Sequence, residues 1–204
     1  VANREAMQQV ERDVPGVGFV VSIDTGDAIA LHPKNKKPIG IRHGLLALQQ
    51  TYGKEIVGQG PRYTGHQIED GQVVLEFAAV GSGLMPASRG PLNAFAIAGI
   101  DRQWHCADAQ IKGKTVVVSS DKAAKPVAVR YGWAMNPSRR NLLNNKEGLP
   151  ASPFRTDSWP LFNAGDAAVF NFTTATPPPV IVSTFPADGA VDVPVDVLSS
   201  SGNG

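Results

Sequence analysis

Gly18-Phe-Val-Val-Ser-Ile23, followed by Asp24-Thr-Gly-Asp27-Ala-Ile-Ala-Leu-His32-Pro33-Lys34-Asn35-Lys36, is the most informative stretch of the chain. The first six residues are short, β-branched and nearly all apolar, which predicts a strand covered on both faces. A polar loop follows, presenting a histidine and then a proline before the next helical pattern. Chemistry is commonly mounted on such a junction, because the rigid strand fixes where the loop side chains point.

Working outward, residues 3–13 predict an amphipathic helix with Ala6, Met7, Val10 and Val14 at helical spacing, broken by Pro15-Gly16. A second helix is predicted from about Lys36 to Tyr52, with Ile41, Leu45, Leu48 and Tyr52 on one face and Gly53 as its stop. Past Gly53 the pattern shifts to short β-type runs: Gln72–Ala79, Asn93–Ala98, Gln103–Ala107, Thr115–Ser119 and Pro126–Trp133. Turn residues such as Glu69-Asp70-Gly71 and Lys112-Gly113-Lys114 separate them, which predicts an antiparallel sandwich. Val116, Val118 and Ala128, Arg130, Gly132 do not alternate cleanly, so the register is not legible from pattern. A further strand is expected at Val169–Thr173, then a stiff linker at Thr174-Ala-Thr-Pro-Pro-Pro179.

The chain has 204 residues, 42% of them hydrophobic, enough for one sizeable core or two small ones. Nineteen basic against eighteen acidic residues leave a net charge of +1 and no global attraction to nucleic acid or acidic membranes. No run reaches the roughly 18–20 apolar residues needed to span a bilayer. Neither nucleic acid nor membrane is therefore expected as a partner. Cys106 is the only cysteine, which excludes an internal disulfide and a cysteine-based metal cluster. His32, His43, His66 and His105 lack metal-ligand spacing, and no cofactor is expected. The chain opens at Val1 with no secretory signal, as expected of a mature, trimmed or truncated product.

The motif Leu31-His32-Pro33-Lys34-Asn35-Lys36-Lys37 resembles the segment around the catalytic histidine of the sialate O-acetylesterase family, SGNH-type serine esterases in which that histidine is the general base. Phe95-Ala-Ile-Ala-Gly99, Ala107-Asp108-Ala-Gln-Ile, Pro126-Val-Ala-Val-Arg-Tyr-Gly-Trp133 and Asn145-Lys-Glu-Gly-Leu-Pro-Ala-Ser-Pro-Phe-Arg-Thr-Asp157 are similar to family β-domain positions. The likeness runs over roughly residues 1–160, and the last stretch is its most specific part. It implies a mainly β α+β chain: residues 1–55 the end of an SGNH-type α/β layer (helix, strand, helix), 56–135 an antiparallel β-sandwich, 136–172 a tail packing back on the core. Residues 173–204 read as a Pro-rich linker and the truncated start of a bacterial Ig-like domain, in the form Pro186-Ala-Asp-Gly-Ala-Val-Asp-Val-Pro194. The family and the Ig-like resemblance together imply an extracellular or periplasmic location.

The implied activity is hydrolysis of an O-acetyl ester on a carbohydrate, with His32 as base. Where the family carries an aspartate two residues before the histidine, this chain has Ala30. Asp27 is the candidate acid partner, although Asp24 and Asp27 equally suit a turn shaped by side-chain to backbone hydrogen bonds. The family's Gly-Gln-Ser-Asn-like nucleophile segment is absent. Gly81-Ser82-Gly83 matches a β-domain turn of the family better than a nucleophile elbow. The serine is thus expected from a missing N-terminal segment, or through a homo-oligomer. Two other readings stay open. One is a non-catalytic carbohydrate-binding module using Trp104, Trp133 or Trp159. The other is a hydrolase using a metal or carboxylates such as Asp24, Asp27, Glu147 and Asp157. Arg155 and Asp157 are expected to pair and pin the tail.

Overall fold

The structure is a computed structural model that describes residues 2–27, 30, 32–134 and 136–160. The strand expected at 169–173, the linker and the Ig-like segment lie outside the described residues. Two helices come first, α1 (Ala2–Asp13) and α2 (Lys37–Gln50). Ten strands follow: β1 (Arg62–Glu69), β2 (Gln72–Ala78), β3 (Leu84–Pro86), β4 (Phe95–Gly99), β5 (Trp104–Cys106), β6 (Asp108–Lys112), β7 (Thr115–Ser119), β8 (Pro126–Tyr131), β9 (Leu143–Asn145) and β10 (Phe154–Arg155). The described residues are therefore mainly β, and the strand pairs among them are antiparallel.

One four-stranded sheet runs β1-β2-β7-β6, a second runs β10-β8-β4-β5, and β3 pairs with β9. The β1–β2 hairpin closes through Asp70 and Gly71, at φ 49° and 75°. That is the two-residue turn whose twist matches the flanking strands, and the Asp-Gly pair suits its left-handed backbone. Val73, Leu75, Val116 and Val118 from the first sheet and Ile97, Val129, Tyr131 and Phe154 from the second share one apolar core. At its centre the buried Tyr131 hydroxyl accepts the Leu143 N–H at 3.0 Å. Burial pushes that phenol far above its usual range.

The irregular alternation along β8 has a cause in the second sheet, which is covered on both faces. Val129 and Tyr131 point into the shared core, while Ala128 and Arg130 line the opposite face. There Trp104 stands opposite Ala98, and Ala98 opposite Ala128. The Arg130 guanidinium lies 4.3 Å from the Trp104 ring centroid and closes that face.

Both helices form where the sequence pattern puts them, yet they turn the other way. α1 points its polar side at the β structure. Gln8 donates to the Pro153 carbonyl at 2.9 Å, and Arg4 to the Ala134 carbonyl at 2.8 Å. Glu11 pairs with Arg62 and accepts the Phe19 N–H at 2.8 Å. Its apolar stripe faces outward, with Met7, Val10 and Val14 exposed by 59%, 48% and 44%. On α2, Ile41, Leu48 and Tyr52 are likewise exposed, and Arg42 and Leu46 are the buried residues. The surface α1 meets is rich in arginines and carbonyls, so its polar face is the complementary one. Gly53, at φ 61°, lets the chain turn back so that the Lys54 N–H reaches the Leu48 carbonyl at 2.9 Å.

Residues 18–23 join no ladder among the described residues and Ile23 already opens a turn, contrary to the expected covered strand. Side chains hold their odd-numbered backbone groups instead. Glu11 takes the Phe19 N–H, Arg62 donates to the Phe19 carbonyl at 3.2 Å, and Arg42 donates to the Val21 carbonyl at 2.8 Å.

The Asn145–Pro150 part of the most specific stretch has a structural explanation. Asn145 is fully buried, donates to the Gln59 carbonyl at 3.0 Å and accepts the Leu149 N–H at 2.9 Å. That brings residues 58–61 against 149–152 so closely that a Cβ on Gly60 would lie 2.1 Å from the Pro150 carbonyl oxygen. Backbone, not a flexible side chain, blocks the way. Gly60→Ala is therefore expected to cost about 2–3 kcal/mol. Gly44→Ala on α2, where a Cβ meets nothing within 4 Å, is expected to be neutral or slightly stabilising. Thermal unfolding of the two variants checks this; equal midpoints would refute the close approach.

Candidate active site

The loop that follows Ile23 is held by three long-range ties. Arg42, buried on α2, donates to both oxygens of Asp24 at 2.7 and 2.5 Å, and to the Val21 carbonyl. Arg139 hydrogen-bonds the Gly26 carbonyl from the far side. Within the loop, Thr25 donates its N–H and its hydroxyl to the Ser22 carbonyl at 3.1 and 2.8 Å. The Asp24 carboxylate thus fastens α2 to the turn. Nothing in sequence spacing marks a partner eighteen residues away on a helix expected to bury leucines.

Asp27 is exposed, and its Oδ1 accepts the Ala30 N–H at 3.2 Å. This is the turn-shaping contact that short acidic side chains make with nearby backbone. His32 is exposed two residues farther on, ahead of half-buried Pro33, whose carbonyl accepts from Lys36 Nζ at 3.0 Å. Both candidate residues therefore sit on one exposed loop tied down at Asp24 and Gly26. Beside Asp27 opens a hollow of about 450 Å³ walled by Met7, Val20, Ser22, Ile23, Asn136 and Pro137.

The other candidates are engaged elsewhere. Ser82 sits in a turn between Gly81 and Gly83, at φ 56° and 135°, and donates its N–H to Glu147 at 2.9 Å. Hydrogen bonds from the Ser82 side chain and N–H hold the Glu147 carboxyl below its usual range. This is a clamp between two turns. Asp157 accepts both forks of Arg130, each at 2.8 Å. The expected Arg155–Asp157 pair is present but secondary, at 3.7 Å, because Arg155 makes its fork with Glu5 of α1. Arg155 is thus tied to α1 through Glu5 rather than mainly to Asp157. His66 Nδ1 lies 2.8 Å from the Tyr63 hydroxyl, and His43 Nδ1 2.8 Å from the Ile39 carbonyl of its own helix. Among the described residues no three His, Cys, Asp or Glu side chains gather as a metal site, and no helix is long and apolar enough to cross a membrane.

No protein-family model matches the chain, and no curated protein does. Among solved structures, the chain is similar to a carbohydrate acetylesterase from Xanthomonas citri, at 43% identity and a TM-score of 0.71. The match covers 74% of this chain but only 35% of that protein, so this chain spans about a third of the enzyme's length. At that identity the likeness reaches beyond fold: over most of its residues the chain is related to a carbohydrate esterase.

Proposed function

We propose that this chain is the part of a carbohydrate O-acetylesterase that supplies the catalytic histidine, with serine and oxyanion hole contributed by polypeptide outside these 204 residues. The observation that carries this reading is the 43% identity to about a third of an acetylesterase. The exposed His32 loop and the outward apolar stripes of α1 and α2 are consistent with a site and a face that other polypeptide completes. In domain terms, residues 1–55 then close an SGNH-type α/β layer, 56–135 form the β-sandwich, and 173–204 begin an Ig-like domain. The substrate is an O-acetylated sugar, of sialate type by family resemblance, met outside the cytoplasm.

In the chemistry we assign, the His32 imidazole takes the proton of the incoming serine as its oxygen attacks the acetyl carbonyl. It returns that proton to the departing sugar hydroxyl, leaving an acetyl-enzyme. Water, activated by the same ring, then releases acetate. Asp27 is the acid we assign to orient the imidazole, five residues before it in the same segment.

The purified chain is expected to hydrolyse 4-nitrophenyl acetate no faster than buffer, whereas a longer polypeptide carrying the serine segment hydrolyses it and is blocked by a phosphonate. Phosphonate-sensitive turnover by the 204 residues alone, lost on His32→Ala, would contradict the external nucleophile.

A further inference from the structure

We propose that the hollow between Trp104, Arg130 and Trp133 is a sugar subsite that holds a neutral pyranose ring of the glycan next to the one bearing the ester. Its place along the glycan rests on the esterase reading; its affinity for sugar does not.

The hollow has a volume of about 340 Å³ and is lined by residues of β4, β5 and β8, within the roughly 300–1,000 Å³ usual for small-molecule sites. Trp104 and Trp133 line it and are half-buried. Trp159, by contrast, sits edge-on to Trp104, with ring centroids 5.5 Å apart, and does not line the hollow.

Arg130 is the one charged residue among the described residues of the lining. Its guanidinium lies over Trp104 and 5.9 Å from the Trp133 centroid, and Asp157 occupies its fork. What remains is a charge-neutralised cluster of two indoles with a guanidinium over them. An anion finds no unpaired cation there. A ring with one face of C–H groups and hydroxyls around its edge suits it, because it stacks on the π surface and keeps its polar edge wet. Asn136 and Ser138, both exposed on the rim, offer an amide and a hydroxyl to that edge.

Position ties the hollow to the histidine loop. Asn136 and Pro137 also wall the hollow that contains Asp27, so one loop separates the two spaces. Arg4 holds that loop from α1 through the Gly132 and Ala134 carbonyls, and Arg139 anchors it on Gly26. A glycan presenting its ester at His32 can thus continue into the Trp104–Trp133 hollow.

Intrinsic tryptophan fluorescence of the 204-residue chain, titrated with xylohexaose, cellohexaose and N-acetylneuraminic acid, tests the subsite. A saturable emission change is expected with at least one neutral hexasaccharide and none with the anionic sugar. Ser138→Leu changes an exposed position and fills the rim without adding a ring. It should weaken that binding about tenfold with the thermal midpoint unchanged. Trp104→Ala should weaken it at least as much, with circular dichroism reporting that the fold persists. No saturable change with either hexasaccharide, tighter binding of the anionic sugar, or undiminished affinity in Ser138→Leu would each overturn the subsite. The esterase reading fails separately, if the completed polypeptide keeps its activity on His32→Ala.

Discussion

His32→Ala is expected to lower acetyl-ester hydrolysis by a completed polypeptide about 10⁴-fold, with KM nearly unchanged. The imidazole makes its decisive interaction only while the proton is in flight, so removing it affects kcat and kcat/KM alike. Folding should not suffer, because His32 is exposed and its loop is held by Arg42 on Asp24 and Arg139 on Gly26. Asp27→Asn should cost less than His32→Ala, since an orienting acid acts through the ring it holds. Rates on an acetylated sugar and on a simple acetate ester, compared with the thermal midpoint of each variant, check the assignment. A fall of less than tenfold in kcat for His32→Ala would remove the histidine from the chemistry. A loss confined to KM would make it a binding residue.

Local signals survived into the structure better than long-range ones. Asp70-Gly71 closes its hairpin because two left-handed residues in a row are a property of the dipeptide itself. Thr115–Ser119 is a strand as expected, for β-branched residues suit a pleated, buried surface. α1 and α2 were legible as helices, but their inward faces were not. Apolar periodicity says which side seeks cover, and here Met7, Val10 and Val14 remain on the outside while Glu5 and Glu11 meet arginines. Gly18–Ile23 has a strand's composition, but a strand needs a neighbour that composition cannot supply. The same limit hid the ties that hold the candidate site. Asp24 with Arg42, Gly26 with Arg139, and Arg130 with Asp157 join residues 18, 113 and 27 positions apart. His32 itself was visible because its neighbours in sequence form the motif.

Asp157→Ala should destabilise the chain by about 3–5 kcal/mol, which lowers the unfolding midpoint by about 10 °C for a domain of this size. Arg130 of β8 and Arg155 of β10 stand directly opposite each other across the sheet. Like charges in that position repel, and two carboxylates make the arrangement tenable. Glu5 takes the fork of Arg155 and Asp157 that of Arg130, with the Asp157 side chain only 2% exposed. Removing Asp157 leaves the Arg130 guanidinium against Trp104 without its counter-charge, beside a second cation. Burial pushes the Asp157 carboxyl upward in pKa, but hydrogen bonds and charge from Arg130, the Trp159 N–H and the charge of Arg155 outweigh it. The group ends below the usual carboxylate range. Its folded pKa is therefore depressed, so its stabilisation is fully present above an unfolded value of about 3.9 and is lost as pH falls through the folded value. Asp157→Asn keeps the shape without the charge, and its acid unfolding curve should be shallower than that of the parent below about pH 4. Parallel acid limbs for the two proteins would mean that this carboxylate contributes no charge-dependent stability. A midpoint unchanged in Asp157→Ala would mean that the facing arginines need no counter-charge from it.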